Sequence, residues 1–161
     1  MLCSTSSILK KGQIIADLQP IWMQSDNERA RSNKLDGKPV DITLIVIHHT
    51  GGPAIRNTLN TFLKPGCTSA HYVIDTDGEI IKMVRDTRRA SHAGCSRWGG
   101  VENVNDFSIG IEIVNGSGPY DERQYRALLG DGSNRGLLDR LLHAYPTIQN
   151  RGIVGHSCCV A

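Results

Sequence analysis

Two histidines close short apolar runs. His48 follows Ile42-Thr-Leu-Ile-Val-Ile47, and His156 follows Ile153-Val-Gly155. The ends of adjacent strands converge in space, so two imidazoles far apart in sequence can meet at one sheet edge. Neutral imidazole is a good zinc ligand, and a catalytic zinc takes three protein ligands and keeps one position open for water. The plainer role for each histidine is a hydrogen-bonded residue in the loop after a strand. His49 lies beside His48. Neighbours on an extended chain point to opposite sides, so only one of the pair faces a given site. Glu112 interrupts the apolar run Ile109-Gly-Ile-Glu-Ile-Val114. A carboxylate there is costly unless it is paired or faces a wet cleft. Gly110 and Val114 share its face, and the glycine leaves room for something to approach. Such a carboxylate suits a general base beside a metal-activated water; the plainer role is an edge-strand side chain turned to solvent.

These groups need a sheet to hold them. Residues 42–47 are β-branched and almost uniformly apolar, which fits a strand buried on both faces. The turn-rich His48-His-Thr-Gly-Gly-Pro53 follows, and residues 55–63 carry apolar side chains at helical spacing, ending before Pro65-Gly66. Residues 70–75 and 79–84 read as strands joined by a hairpin turn at Thr76-Asp77-Gly78. Residues 108–114 form another strand. Residues 121–130 and 136–145 are helical in composition, separated by the glycine-containing insert Gly130–Gly136, where each glycine would cost a continuous helix ~1 kcal/mol relative to alanine. The last apolar run is 153–155. Strands alternating with helices predict one α/β domain: a central mixed β-sheet flanked by helices, with the cleft at the strand ends. Residues 1–40 are polar and mixed, and read as an N-terminal extension or wrapping segment.

Bulk properties narrow the classes. The chain has 161 residues, enough for one domain. With 39% hydrophobic and 21% charged residues it can bury a core, which excludes disorder. A net charge of +2 without Lys/Arg-rich runs excludes an electrostatic nucleic-acid partner. The five cysteines, Cys3, Cys67, Cys95, Cys158 and Cys159, form neither a disulfide framework nor a paired metal knuckle, and fit a reducing compartment. The opening MLCSTSSILKKG lacks a signal-peptide core, and no stretch is long enough to span a bilayer. A cytoplasmic location is expected, with signal-independent export or release by lysis as the remaining routes outward. A cysteine hydrolase built on Cys67 or Cys95 has no visible activating context. His143, in LLDRLLHAYP, reads as an ordinary helix residue.

Five segments occur together in order: IVIHHT (45–50), TSAHYVIDTDGEI (68–80), SHAG (91–94), NDFSIGIEIVN (105–115) and IVGHS (153–157). In this combination the chain resembles the zinc-dependent N-acetylmuramoyl-L-alanine amidases, which include peptidoglycan-recycling enzymes, phage amidases and peptidoglycan-recognition proteins. The resemblance covers residues 40–157 and implies hydrolysis of the amide between N-acetylmuramic acid and L-alanine in peptidoglycan or its fragments. Residue by residue, it implies that His48 and His156 are zinc ligands and that Glu112 is the general base. It places His71 and His92 near the cleft as substrate-binding residues, a structural role being the alternative for either. Asn105 is implied to structure its loop. Ala70 stands where some branches carry a tyrosine, which places the chain with the glutamate-dependent branch.

Three departures qualify the resemblance. The family's second histidine is followed by a loop carrying a third ligand, Asp or Cys, and in many branches a lysine that stabilises the oxyanion. The sequence given ends at Ala161, so residues 41–161 read as an amidase-like domain truncated at that loop, with Cys158 or Cys159 as substitute ligands. Ser91 replaces an aromatic residue, and the Gly130–Gly136 insert is unusual. The alternative function is therefore a catalytically impaired domain that binds peptidoglycan or muropeptide without a third zinc ligand.

Overall fold

In a computed structural model the chain is described over residues 19–32, 37–149 and 151–159. The extension expected at 1–40 therefore lies outside the described residues at 1–18 and 33–36. The strands are β1 (Ile21–Trp22), β2 (Glu28–Ala30), β3 (Leu44–His49), β4 (Tyr72–Ile74), β5 (Ile80–Lys82), β6 (Arg88–Ala90), β7 (Arg97–Trp98), β8 (Val101–Glu102), β9 (Ser108–Ile113) and β10 (Ile153–Gly155). The helices are α1 (Ile55–Leu63), α2 (Glu122–Leu129) and α3 (Leu137–Ala144).

The main sheet runs β1-β5-β4-β9-β3-β10. Its β4–β5 pair is antiparallel, closed by the expected hairpin, and its other pairs are parallel. The sheet is therefore mixed and flanked by helices, as the alternation of elements predicts. Ile45, Val46, Ile109 and Ile111 are fully buried. Cover on both faces explains why β3 reads as a continuous apolar run.

One face packs on α2 and α3: Ile45, Ile74, Ile109, Ile111 and Ile113 meet Ala127, Leu128, Leu137 and Leu141. On the other face, Phe62 of α1 joins Val73, Met83 and Val114, while Leu44 and Val46 meet Ala93, Val104 and Phe107. Asp121 starts α2 with a capping box: its side chain accepts the Arg123 N–H, while its own N–H donates to Gln124 Oε1. Gln124 Nε2 also donates to the Val114 carbonyl at 2.8 Å, tying the helix start to the end of β9. The Gly130–Gly136 insert folds on itself. Gly130 bridges Arg135, and Asp131 Oδ1 accepts the N–H groups of Ser133 and Asn134.

Residues 19–32 are integral to the fold. β1 pairs with β5, β2 pairs with β6, and Arg31 reaches inward. Its guanidinium donates to the carbonyls of Asp106 at 2.9 Å, Ser108 at 3.0 Å, Asp86 at 3.0 Å and Arg88 at 2.8 Å. Among the described residues no helix is long and apolar enough to cross a membrane.

Candidate active site

Register builds the site. β3 and β9 pair His48 with Glu112, and paired residues of neighbouring strands project to the same face. β10 pairs Gly155 with Ile47, so His156 follows one step beyond and stands beside His48. Their ring centroids are 4.5 Å apart. His48, His156 and Glu112 line one cleft of about 600 Å³, together with His49, His92 and Tyr120. The parallel order of β9, β3 and β10 is thus what gathers three residues from distant parts of the chain.

Burial sets the charge states. It holds His48 near a pKa of about 3, reinforced by His156 and His49, so the imidazole is neutral at physiological pH. It pushes Glu112 up to about 7. Oε2 of Glu112 is buried and has no hydrogen-bond partner. An orphaned carboxylate oxygen beside two imidazoles is ready to take a proton or a polar ligand.

His71 and His92 are both held in the protein's own hydrogen-bond network. His71 is fully buried. Its Nδ1 accepts the Gly110 N–H at 3.0 Å, so Nε2 carries the proton and donates to the Arg88 carbonyl at 3.0 Å. That histidine ties β9 to β6 and has no edge for a ligand. His92 touches the cleft, yet its nitrogens are committed to His48 Nε2 at 3.0 Å and to Ser108 Oγ at 3.1 Å. Asn105, which the resemblance placed in a loop-structuring role, accepts the N–H groups of His92 and Ala93 on its Oδ1, at 2.9 and 2.8 Å.

His48 and His156 could hold a metal ion, and the unpartnered oxygen of Glu112 suits a group beside it. Imidazole nitrogens are donors that fit zinc chemistry. Among the described residues no group of three His, Cys, Asp or Glu side chains is gathered for one ion. Neither cysteine expected as a substitute completes the set: Cys158 is exposed, and Cys159 is buried in the core against Leu44 and Val46. Tyr120, Ser108 and Arg31 escape a reading by residue type. Ser108 opens the SIGIE strand and Arg31 is one of several charges in the segment 26–38, so neither stands out by type.

A single α/β sheet gathers two histidines and a carboxylate at its strand ends, in one cleft. The family model for N-acetylmuramoyl-L-alanine amidase matches residues 37–161, and the chain belongs to that family. It is 34% identical over 154 residues to the 1,6-anhydro-N-acetylmuramyl-L-alanine amidase AmpD of Escherichia coli K12, covering 83% of this chain and 80% of that protein. The AmpD of Citrobacter freundii is 32% identical over 161 residues, covering 87% and 81%. A crystal structure of an AmpD selenomethionine derivative superimposes with a TM-score of 0.65 at 27% identity, covering 94% of this chain and 87% of that one. The amidase AmiD of E. coli, in complex with anhydro-N-acetylmuramic acid-L-Ala-D-gamma-Glu-L-Lys, gives a TM-score of 0.64 at 27% identity over 80% of this chain and 53% of that one. The resemblance in the sequence motifs is borne out, and the enzyme class with it; members of this family are generally zinc-dependent.

Proposed function

We propose that this chain hydrolyses the amide between N-acetylmuramic acid and L-alanine in a soluble muropeptide, with His48 and His156 as zinc ligands and Glu112 as general base. The observation that carries the mechanism is the buried, unpartnered Oε2 of Glu112, in register with His48. Similarity to AmpD and to the substrate complex of AmiD supports the choice of amide. When bound, zinc supplies Lewis acidity that acidifies water and polarises the scissile carbonyl. His48 stays neutral and keeps a lone pair for the ion. Glu112 accepts the proton of the attacking water and returns it to the leaving amine. In the metal-free protein burial pushes the Glu112 carboxyl up to about 7. The cleft of about 600 Å³ is large enough to take a sugar and the first residues of a stem peptide.

A second reading, muropeptide binding without cleavage, is favoured by the gathering of only two metal-capable histidines among the described residues. One experiment separates the two. The purified chain, supplied with zinc, is incubated with an anhydromuramoyl tripeptide, and free tripeptide is followed by mass spectrometry while binding is followed by calorimetry. Release of peptide that vanishes in Glu112→Gln supports hydrolysis. Heat of binding without product supports the silent module. Neither heat nor product overturns both readings.

A further inference from the structure

A line of polar groups runs from the candidate metal ligand into the sheet. His48 Nε2 lies 3.0 Å from His92 Nδ1, His92 Nε2 lies 3.1 Å from Ser108 Oγ, and Ser108 Oγ lies 2.6 Å from the Val104 carbonyl oxygen. Ser108 is fully buried and His92 nearly so. Each nitrogen of a neutral imidazole is either a donor or an acceptor, and which one carries the proton follows from its partners.

The carbonyl of Val104 has no proton to give. Two oxygens 2.6 Å apart need a hydrogen between them, and the Ser108 hydroxyl supplies it. Its one proton is then spent, so Ser108 Oγ accepts from His92, which fixes the His92 proton on Nε2. His92 Nδ1 is left as an acceptor and takes a proton from His48 Nε2. Every link points the same way, from the cleft to the backbone. The reverse direction would leave the Ser108 and Val104 oxygens facing each other bare.

We propose that Ser108 and His92 act as positioning residues that lock the proton of His48 on Nε2, so that His48 offers Nδ1 to a metal ion in the cleft. The inference rests on the reading of His48 as a ligand. Outer partners of this kind orient a ligating imidazole and raise its basicity, and their loss typically costs about 10- to 100-fold in metal affinity. The chain holds its own members in place: Asn105 pins the His92 backbone, and Gly110 leaves the space that the ring fills.

The test uses the full chain with isotope-labelled histidine nitrogens, first metal-free at neutral pH. His48 is expected to show a protonated Nε2 and a bare Nδ1. Ser108→Ala should give a mixture of His48 tautomers, and competition with a chelator should show zinc affinity down roughly 10- to 100-fold. Ser108→Thr, which keeps the hydroxyl, should restore both. A wild-type His48 protonated on Nδ1 overturns the proposal, as does Ser108→Ala with unchanged tautomer and affinity. If zinc leaves the wild-type His48 signals unmoved, the ligand reading falls, while the metal-free spectrum still decides the direction of the proton chain.

Discussion

The ring of His92 fills the volume that any side chain at position 110 would need: a Cβ on Gly110 would stand 2.4 Å from its Cγ. The glycine beside Glu112 does leave room for an approaching group, and that group is a histidine of the protein itself. Gly110→Ala should therefore push the ring off its bonds to His48 and Ser108. Overpacking of this kind typically costs about 1–3 kcal/mol. Urea denaturation should show that loss, and steady-state assays should show muramoyl–alanine cleavage falling with it. A variant as stable and active as the parent would show that the His92 ring has freedom to move.

Replacing Glu112 by glutamine should lower cleavage about 100- to 10,000-fold, the usual contribution of a positioned base. Its effect on stability should have the opposite sign. The folded-state pKa of Glu112 lies near 7, above the ordinary 4.5. Folding therefore favours the protonated acid: that contribution is fully present below pH 4.5 and is lost as pH rises through 7. The cost of ionising it is at most roughly 3 kcal/mol at alkaline pH. Metal-free Glu112→Gln should thus equal wild type in stability at pH 4 and exceed it at pH 8. Thermal melts at the two pH values check this, and equal melting differences would remove the burial penalty from the account.

Metal content follows from the ligand set. With two imidazoles supplied by the described residues, dialysis against a mild chelator should leave well under one zinc per chain. His48→Ala and His156→Ala should each remove what remains. Plasma emission analysis of the dialysed protein decides it. A full retained equivalent would mean that a third ligand completes the site.

Arg31 should be a stability residue, since it anchors the segment 19–32 to the rest of the fold. It remains charged although burial lowers its pKa to about 10, and it satisfies carbonyls on both sides of the sheet's loop region. Arg31→Met would remove those bonds, at about 1–3 kcal/mol for each buried carbonyl left without another donor; the Arg88 carbonyl keeps the bond from His71 Nε2. Arg31→Lys should rescue little, since a single ammonium cannot fork to two sets of acceptors. Denaturant midpoints for both variants test this, and a midpoint change within error for Arg31→Met would contradict it.

The parts of the fold legible in the sequence were those whose burial leaves a continuous trace. β3 and β9 are apolar because both faces are covered, and His48 and Glu112 stood out as polar breaks in that trace. His156 was legible because it ends the short apolar run Ile153–Gly155, although that strand lies at the sheet edge and is largely open to solvent. β2, β6, β7 and β8 were not, because Glu28–Ala30, Arg88–Ala90, Arg97–Trp98 and Val101–Glu102 are short and largely exposed or charged. Their pairing is imposed by tertiary contacts rather than by local pattern. The tasks of His71 and His92 were equally hidden. Both are histidines in family motifs, and only the partners around each ring, the Arg88 carbonyl for one and Ser108 Oγ for the other, distinguish their surroundings.

Among the described strands β10 is one of the two at the sheet's edges, three residues long, held on one side only and largely open to solvent. By its place it is a segment expected to detach first in a local opening of the native state. Yet it carries His156. Whatever bridges the two imidazoles must therefore also fasten the edge strand to β3, and by mass action its binding free energy is added to the stability of that edge. Loading of the cleft and fraying of this edge strand are then one equilibrium, read from opposite ends.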